Sequence, residues 1–249
     1  MRGVKSTPVL IPKETTVFKR IALTCLALFA FGAASAFADA PVKGPFAGTV
    51  HAVAAITYVD GSQQSWNWDR GQITALSSSS ITLTRRDEAQ VTFAITSTTV
   101  VRNDGATYTL ADLKEGQVAT VISQNGNADI IRRIRGDGAP SGGEPSAIDG
   151  PATKSVTGSV NALYADGSTQ TFEYDRGRIS QIGNGQLTLV RPDKQNVTLT
   201  YDATTVVRDC QGQPESTDAL AQGDGGQFFS QSGALKLAAC VHAPQQKQQ

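Results

Sequence analysis

The chain is poor in the residues from which catalytic and metal sites are most often built. Its 249 residues include two His, three Cys and one Met, which is little material for a metal centre or for general-base chemistry. Neither sign of charge predominates, because 22 Lys and Arg balance 22 Asp and Glu. We therefore predict a protein that is not an enzyme, with no catalytic residues, no cofactor and no metal site.

The N-terminal region has the features of a secretory signal peptide. An apolar run from Ile21 to Ala38 follows Lys19 and Arg20 and ends in small residues, as in signal peptides with a cleavage site. We predict cleavage after Ala38, so that residues 1–38 are removed and the protein is secreted or periplasmic. The alternative is a membrane anchor, because 18 apolar residues approach the length of a spanning helix.

The charge of the mature chain limits its partners. Residues 1–38 carry five of the 22 basic and one of the 22 acidic residues, so their removal leaves a net charge of −4. A nucleic acid is then a poor partner, because such binding depends on a surplus of Lys and Arg. We expect no stable membrane insertion after cleavage. The sequence leaves the partner unknown, with a cell-envelope component and a glycan as the candidates.

The mature part contains an internal duplication. With a shift of 106 residues and no gap, residues 60–102 align with residues 166–208, and 19 of the 43 positions are identical. Most of the remaining differences keep their physical character, as where Trp66 faces Phe172 and Trp68 faces Tyr174. A repeat of this length indicates two copies of one structural module.

The duplication divides the chain into five parts. We predict a signal peptide, a first β-module, a Gly-, Pro- and Ser-rich flexible linker, a second β-module and a disordered tail, at residues 1–38, 46–135, 136–155, 156–243 and 244–249. A flexible linker of 20 residues spans about 25 Å, and the sequence leaves open whether the two copies pack together.

Each copy has the pattern of half-buried strands. Val91, Phe93 and Ile95 are separated by single residues, and alternation with period two is typical of strands that have one buried face. Turn-forming pairs such as Asn184 and Gly185 lie between the apolar runs. We predict an all-β fold of two tandem, small and partly open β-barrels with about six short strands each, because closure hides exposed sheet edges. A two-sheet sandwich is the alternative.

The cysteines support export. Cys25 leaves with the signal peptide, and Cys210 and Cys240 remain, both in the second copy. An even pair in an oxidising compartment predicts a disulfide. The alternatives are two unpaired buried thiols or, with the distant His51 and His242, a metal site.

A binding function would depend on one segment that occurs in both copies. The sequence WNWDRG at residues 66–71 is mirrored by FEYDRG at residues 172–177. The two aromatic residues of a segment project from one face of a strand, where they form either part of the core or an exposed platform for sugars, peptides or aromatic ligands. The candidate binding residues are Trp66, Trp68, Asp69, Arg70, Phe172, Tyr174, Asp175 and Arg176.

The repeated Asp-Arg-Gly triplet also has a structural interpretation. The aspartate would hold neighbouring backbone amides, the arginine would lie over an aromatic ring, and Gly71 and Gly177 would allow a bulge or a positive φ. The alternative is a recognition patch of paired charges.

A carboxylate pair for glycoside hydrolysis is a further alternative. Asp60, Asp69, Asp166 and Asp175 could meet across strands. Roles in turns and bulges explain these residues more simply.

The order of motifs resembles a known group of domains. Both copies contain Tyr-x-Asp-Gly-Ser and an aromatic-Asp-Arg-Gly-x-Ile motif, followed by Thr-x-Val-x-Arg, and the first copy adds Asp-Leu-Lys-x-Gly-Gln. This order resembles domains of unknown function in bacterial secreted proteins, and it departs at residues 218–224 of the second copy. The resemblance covers both copies, implies small β-barrels without assigned catalysis, and transfers no catalytic residues.

The resulting hypothesis is an exported, non-catalytic protein that binds a ligand or serves as a structural unit of the cell envelope. An oligosaccharide-binding protein that uses the Trp66 and Trp68 face is the first alternative. A carboxylate-dependent hydrolase is the second.

Overall fold

Strands make up nearly all the regular structure of the residues that the structure describes. The computed structural model describes residues 44–103, 106–133, 154–210 and 212–242. Within these ranges there is no α-helix. The helical segments there are short 3₁₀ turns, for example Leu110–Asp112 and Thr217–Ala219. The predicted all-β class is therefore confirmed. The predicted signal peptide, all of the linker except Lys154 and Ser155, and the C-terminal tail lie outside the described residues.

The first copy contains seven described strands. Their bounds are β1 Thr49–Tyr58, β2 Gln63–Leu76, β3 Ser80–Arg85, β4 Gln90–Asn103, β5 Ala106–Thr107, β6 Val118–Gln124 and β7 Asn127–Arg133.

The second copy repeats this order with eight described strands. Their bounds are β8 Ser155–Tyr164, β9 Thr169–Gly183, β10 Gln186–Val190, β11 Asn196–Thr200, β12 Val206–Asp209, β13 Pro214–Glu215, β14 Gly225–Gln231 and β15 Ala234–His242. Strands β11 and β12 correspond to the single strand β4. The strands are more numerous than the predicted six per copy, and β2, β4 and β9 have 14 or 15 residues, because each of them changes partner along its length.

Five strands of each copy pair in a ring. In the first copy β2 pairs with β3, β3 with β4, β4 with β7, β7 with β6, and β6 with β2. In the second copy β9, β10, β11, β15 and β14 pair in the same order and return to β9. Both rings belong to one continuous sheet of fifteen described strands, so the two expected barrels are partial rings of a shared sheet rather than separate barrels.

The two copies are joined by antiparallel pairing of β1 with β8. In this pair Ala54 lies opposite Val160, its own counterpart at the shift of 106. Backbone hydrogen bonds at the two ends match as well: Val59 donates to Lys154 at 3.0 Å, and Ala165 donates to Gly48 at 3.2 Å. The copies are thus related by an approximate twofold axis between Ala54 and Val160, like the subunits of a symmetric dimer.

Three apolar clusters stabilise this arrangement. One lies within each ring, around Leu83 in the first copy and Leu189 in the second. The third contains residues of both copies, among them Ile56 and Phe172, and it packs on one face of the β1–β8 pair. The junction therefore has a core of its own and not only backbone hydrogen bonds.

Candidate functional site: a pocket at the junction of the copies

A pocket lies beside the shared core. Strand β1 contributes Ala52 and Ala54 to it, β2 contributes Trp66 and Trp68, and the second copy contributes Val160 among others. The pocket is open to solvent and has a volume of about 40 Å³, smaller than the buried cavity of about 150 Å³ that holds benzene. We call this site the junction pocket.

The junction pocket exists because the shared core is filled unevenly. On the side of the second copy, Phe46 packs edge-on against Phe172 and Phe229, with ring centroids 4.9 Å and 5.1 Å apart. The counterparts of Phe172 and Phe229 in the first copy are Trp66 and Ile122, and both line the pocket. Phe46 and Phe229 line the pocket as well, so it lies between the aromatic residues of the second-copy side and Trp66 and Ile122.

The four predicted aromatic residues divide between surface and interior. Phe172 is 1% exposed and Tyr174 is 0% exposed, so neither offers a surface to a ligand. Trp66 and Trp68 are half-buried and pack against the shared core. The indole Nε1 of Trp66 donates to the Tyr58 hydroxyl at 3.0 Å, which fixes its ring. Burial raises the pKa of Tyr58, and this hydrogen bond partly offsets the shift.

A buried hydroxyl beside the pocket lacks a partner. Thr49 lines the pocket and is 2% exposed, and its Oγ1 makes no hydrogen bond with any described residue. The corresponding residue of the second copy, Ser155, has its Oγ 2.6 Å from the hydroxyl of Tyr174. The first copy has Trp68 at the position of Tyr174, and an indole ring carries no hydroxyl.

The predicted aspartates of the Asp-Arg-Gly triplets form ion pairs with arginines at the end of the next strand, Arg85 in β3 and Arg191 directly after β10. Asp69 is 2% exposed, and its Oδ1 accepts from Arg85 Nη1 at 2.8 Å. Arg85 also donates to Asp87 from Nε and Nη2, at 3.0 and 2.7 Å. The second copy repeats this bridge with Asp175, Arg191 and Asp193. The aspartates therefore hold arginine side chains rather than the expected backbone amides.

These bridges shift the titration of the turn aspartates. The hydrogen bond from Arg85 lowers the pKa of Asp87, against a smaller effect of burial. Arg191 lowers the pKa of Asp193 in the same way. The first bridge thus connects the turn after β3 to the buried carboxylate of Asp69 in β2. The second connects the turn after β10 to that of Asp175 in β9.

His51 adds a contact that only the first copy has. Its Nδ1 lies 2.9 Å from Asp69 Oδ1, and Thr157 occupies the corresponding position of β8. Among the described residues, His51 has no hydrogen bond to a serine, threonine or cysteine side chain.

The glycines of the triplets allow close approach of strands and not a positive φ. A Cβ on Gly71 would lie 2.5 Å from the backbone oxygen of Thr84, and one on Gly177 would lie 2.9 Å from that of Val190. Neither glycine is among the described residues with positive φ. The requirement for glycine is thus steric.

The arginines of the triplets are half-buried in both copies. Burial lowers the pKa of Arg70, and the charge of Arg86 adds to the shift. Arg70 makes no cation–π contact with a described ring, whereas Arg133 lies with its guanidinium 5.7 Å from the centre of the Tyr108 ring and donates to its hydroxyl.

The predicted disulfide between Cys210 and Cys240 is confirmed. It links the end of β12 to β15, which are parallel neighbours in the sheet. In the first copy the position of Cys240 is held by Arg133, and its contact with Tyr108 ties β7 to the segment after β5. The last strand of each copy is thus held to a neighbouring segment, by a disulfide in the second copy and by the contact between Arg133 and Tyr108 in the first.

The other two acids considered for hydrolysis shape turns. Oδ1 of Asp60 accepts from the backbone and the hydroxyl of Ser62, at 3.0 and 2.6 Å. Asp166 does the same with Ser168. These hydrogen bonds lower the pKa of both aspartates, as in turns that an aspartate side chain closes.

Within the described residues, no three or more His, Cys, Asp or Glu side chains lie close enough together to hold a metal ion. The same part of the chain contains no helix with the length and hydropathy needed to cross a membrane.

The fold and the pocket define a protein of two tandem β-modules with an apolar pocket between them. Residues 70–127 and residues 176–225 both match the family model described as Domain of unknown function (DUF5666). No curated protein and no solved structure matches the chain. Most pocket residues, including Thr49, Trp66, Trp68 and Val160, lie outside the matched segments.

Sequence reasoning missed several residues of the pocket. Phe46, Thr49 and Val160 precede the stretches in which the copies align without a gap, so the repeat did not single them out. A signal was nevertheless present, because extending the shift of 106 residues pairs Gly44-Pro45 with Gly150-Pro151. That extension would have drawn attention to Phe46, which an alanine replaces at position 152.

Proposed function

We propose that this chain is an exported, non-catalytic binding protein and that the junction pocket is its ligand site. The observation that carries the proposal is the half-buried pair Trp66 and Trp68 in the wall of an open apolar pocket whose other wall includes Phe46. Concave apolar sites with a few polar groups are the usual places where proteins bind small molecules.

The engagement of the acidic residues supports a role without catalysis. Asp69 and Asp175 are held by arginines, and Asp60 and Asp166 are held by turns. A glycosidase needs one carboxyl group that is free to donate a proton and a second that acts as base or nucleophile. All four acids instead have a structural task.

Two features support export. The apolar run before Ala38 has the composition of a signal peptide, and the Cys210–Cys240 disulfide is of a kind that persists in oxidising compartments. Mass spectrometry of the protein recovered from the bacterial periplasm or culture medium should find Asp39 as the first residue. An intact N-terminus in that fraction would contradict the cleavage, and recovery only from the cytoplasm would contradict export.

Binding of an oligosaccharide is the second candidate, and one observation favours it. Trp66 and Trp68 are partly accessible side by side, and sugars stack on such rings. The buried counterparts Phe172 and Tyr174 limit that platform to one copy. An envelope-associated structural role needs no ligand and is separated from both candidates by the binding test.

The test uses the two tryptophans of the chain, both of which line the pocket. We expect anilinonaphthalene sulfonate to bind the mature chain and to quench tryptophan emission by energy transfer. The change Ala54→Leu should fill the pocket and weaken dye binding about ten-fold or more, whereas Ala55→Leu, one residue away on the opposite and exposed face of β1, should leave it unchanged.

Three outcomes separate the candidates. Loss of dye binding in Ala54→Leu alone supports the junction pocket as the site. Equal dye binding by Ala54→Leu and the unsubstituted chain would overturn it. Quenching by chito- or cello-oligosaccharides, and not by the dye, would favour the sugar-binding alternative.

A further inference from the structure

We propose that the ligand of the junction pocket is an amphipathic anion, with its apolar part in the pocket and its acidic group bound by Arg70 and Arg86. This inference rests on the proposed function, because it names the ligand class for the same pocket. It comes from the residues that continue the pocket wall along strands β2 and β6.

The first step concerns the face of the sheet on which the pocket lies. Trp68 of β2 pairs with Ile122 of β6, and both residues line the pocket. The next residues on the same face are Arg70 and Thr120, which pair with each other. Residues two positions apart in a strand are separated by about 7 Å. The apolar wall is therefore followed directly by a cationic residue.

The second step concerns the charge at this position. Arg70 is half-buried, and it makes no hydrogen bond or ion pair with a described residue. Gly71, the next residue of β2, pairs with Arg85, so Arg86 continues β3 beside Arg70. Burial and the positive charge of Arg86 lower the pKa of Arg70. An anion bound between the two guanidinium groups would relieve their repulsion and receive charge-assisted hydrogen bonds.

Other arginines of the fold are arranged differently. Arg85 and Arg191 each donate to two aspartates. In the second copy Pro192 stands at the position of Arg86, and Tyr174 is completely buried. The pair of neighbouring cations therefore occurs in the first copy, next to the two half-buried tryptophans.

The third step concerns the ligand. The surface of the pocket is almost entirely apolar, so a charged group placed inside it would lose its hydration without compensation. The same group beside Arg70 and Arg86 would keep part of its hydration and gain the two guanidinium groups, which bind carboxylates and phosphates well. The ligand class is therefore an organic acid with an apolar body and one acidic group.

The test compares two dyes with the same ring system, anilinonaphthalene sulfonate and the uncharged N-phenyl-1-naphthylamine. Each is titrated into the mature chain, and quenching of tryptophan emission reports binding, because both tryptophans line the pocket. We expect Arg70→Gln to weaken sulfonate binding about ten-fold, as loss of a hydrogen bond to a charged group does, and to change binding of the uncharged dye less than about two-fold. Arg86→Gln should have a smaller effect of the same kind, because Arg86 is exposed.

Three further variants separate charge, position and pocket. Arg70→Lys keeps the charge and should keep part of the sulfonate affinity, together with its decrease at high ionic strength. Arg178→Gln removes an exposed arginine of β9 that does not line the pocket, and it should bind both dyes like the unsubstituted chain. Ala54→Leu should weaken binding of both dyes. Circular dichroism of each variant checks that the fold is retained.

The outcomes distinguish the ligand class from the pocket itself. Unchanged sulfonate binding by Arg70→Gln, or an equal loss for both dyes, would overturn the anion proposal and leave the junction pocket as a binding site. Equal sulfonate losses in Arg70→Gln and Arg178→Gln would also overturn it, because the overall charge would then explain them. If neither dye binds the unsubstituted chain, the proposed function is overturned as well.

Discussion

Arg85 donates to the buried carboxylate of Asp69 across the β2–β3 pair, and the side chains are 11% and 3% exposed. Removing one partner of a buried ion pair leaves the other charge poorly compensated. We expect Asp69→Asn to lower the free energy of unfolding by about 2–3 kcal/mol, less than for a fully isolated pair because Arg85 keeps Asp87. Chemical denaturation followed by circular dichroism measures this change.

The matched control for this prediction is Asp87→Asn. Asp87 pairs with the same arginine but is more exposed, so its loss should cost about 1 kcal/mol or less. An equal effect of the two substitutions on the free energy of unfolding would show that the burial of Asp69 does not determine how much its ion pair stabilises the fold.

The disulfide should stabilise the fold through the second copy. Cys210 and Cys240 are 30 residues apart in sequence, and a loop of that length corresponds to about 3–4 kcal/mol in the chain-entropy estimate. We expect reduction to lower the melting temperature of the chain, because the second copy shares one sheet and one apolar cluster with the first. Calorimetry with and without reductant tests this, and the double variant Cys210→Ser, Cys240→Ser should behave like the reduced protein.

Local sequence patterns predicted the parts of the fold that depend on neighbouring residues. Alternation at Val91, Phe93 and Ile95 predicted strands, and the even cysteine count predicted the disulfide. The pairing of β1 with β8 was not predictable, because no residue pattern within either strand indicates which distant strand, about 100 residues away, it pairs with. The sharing of one sheet by the two rings follows from that pairing.

The site was predictable only in part for a similar reason. Alternation places Trp66 and Trp68 on one face of a strand, but only Phe46 and the second copy decide how much of that face is covered. The bridge from Asp69 to Arg85 had left a signal, since Arg-x-Asp recurs as Arg85-x-Asp87 and Arg191-x-Asp193. Its register across the hairpin needed the structure.

Burial of Tyr174 should make the chain sensitive to alkaline pH. Desolvation raises the pKa of Tyr174 to about 12, above the ordinary value of about 10 for an unfolded chain. Because the unfolded state then loses its proton first, the contribution is fully present below pH 10 and is lost as the pH rises towards 12. We expect a loss of about 2–3 kcal/mol across that range.

Tyr174→Phe provides the control for the pH prediction. The variant has no phenol to titrate at this position, so its unfolding free energy should fall less steeply between pH 10 and pH 12 than that of the unsubstituted chain. It also removes the hydrogen bond between Ser155 Oγ and the Tyr174 hydroxyl, so we expect lower stability at neutral pH, by about 1 kcal/mol. Parallel curves for the two proteins above pH 10 would contradict the assignment to Tyr174.

Gly71 should tolerate no side chain, because β2 and β3 approach each other there. A Cβ at this position would lie 2.5 Å from the Thr84 oxygen, so Gly71→Ala must push the two strands apart, at a cost of about 1–3 kcal/mol. Gly183→Ala is the matched control, since a Cβ there meets no atom within 4 Å and should leave stability equal or higher by up to about 1 kcal/mol. Urea denaturation of both variants checks the comparison, and similar midpoints would rule out a steric requirement at Gly71.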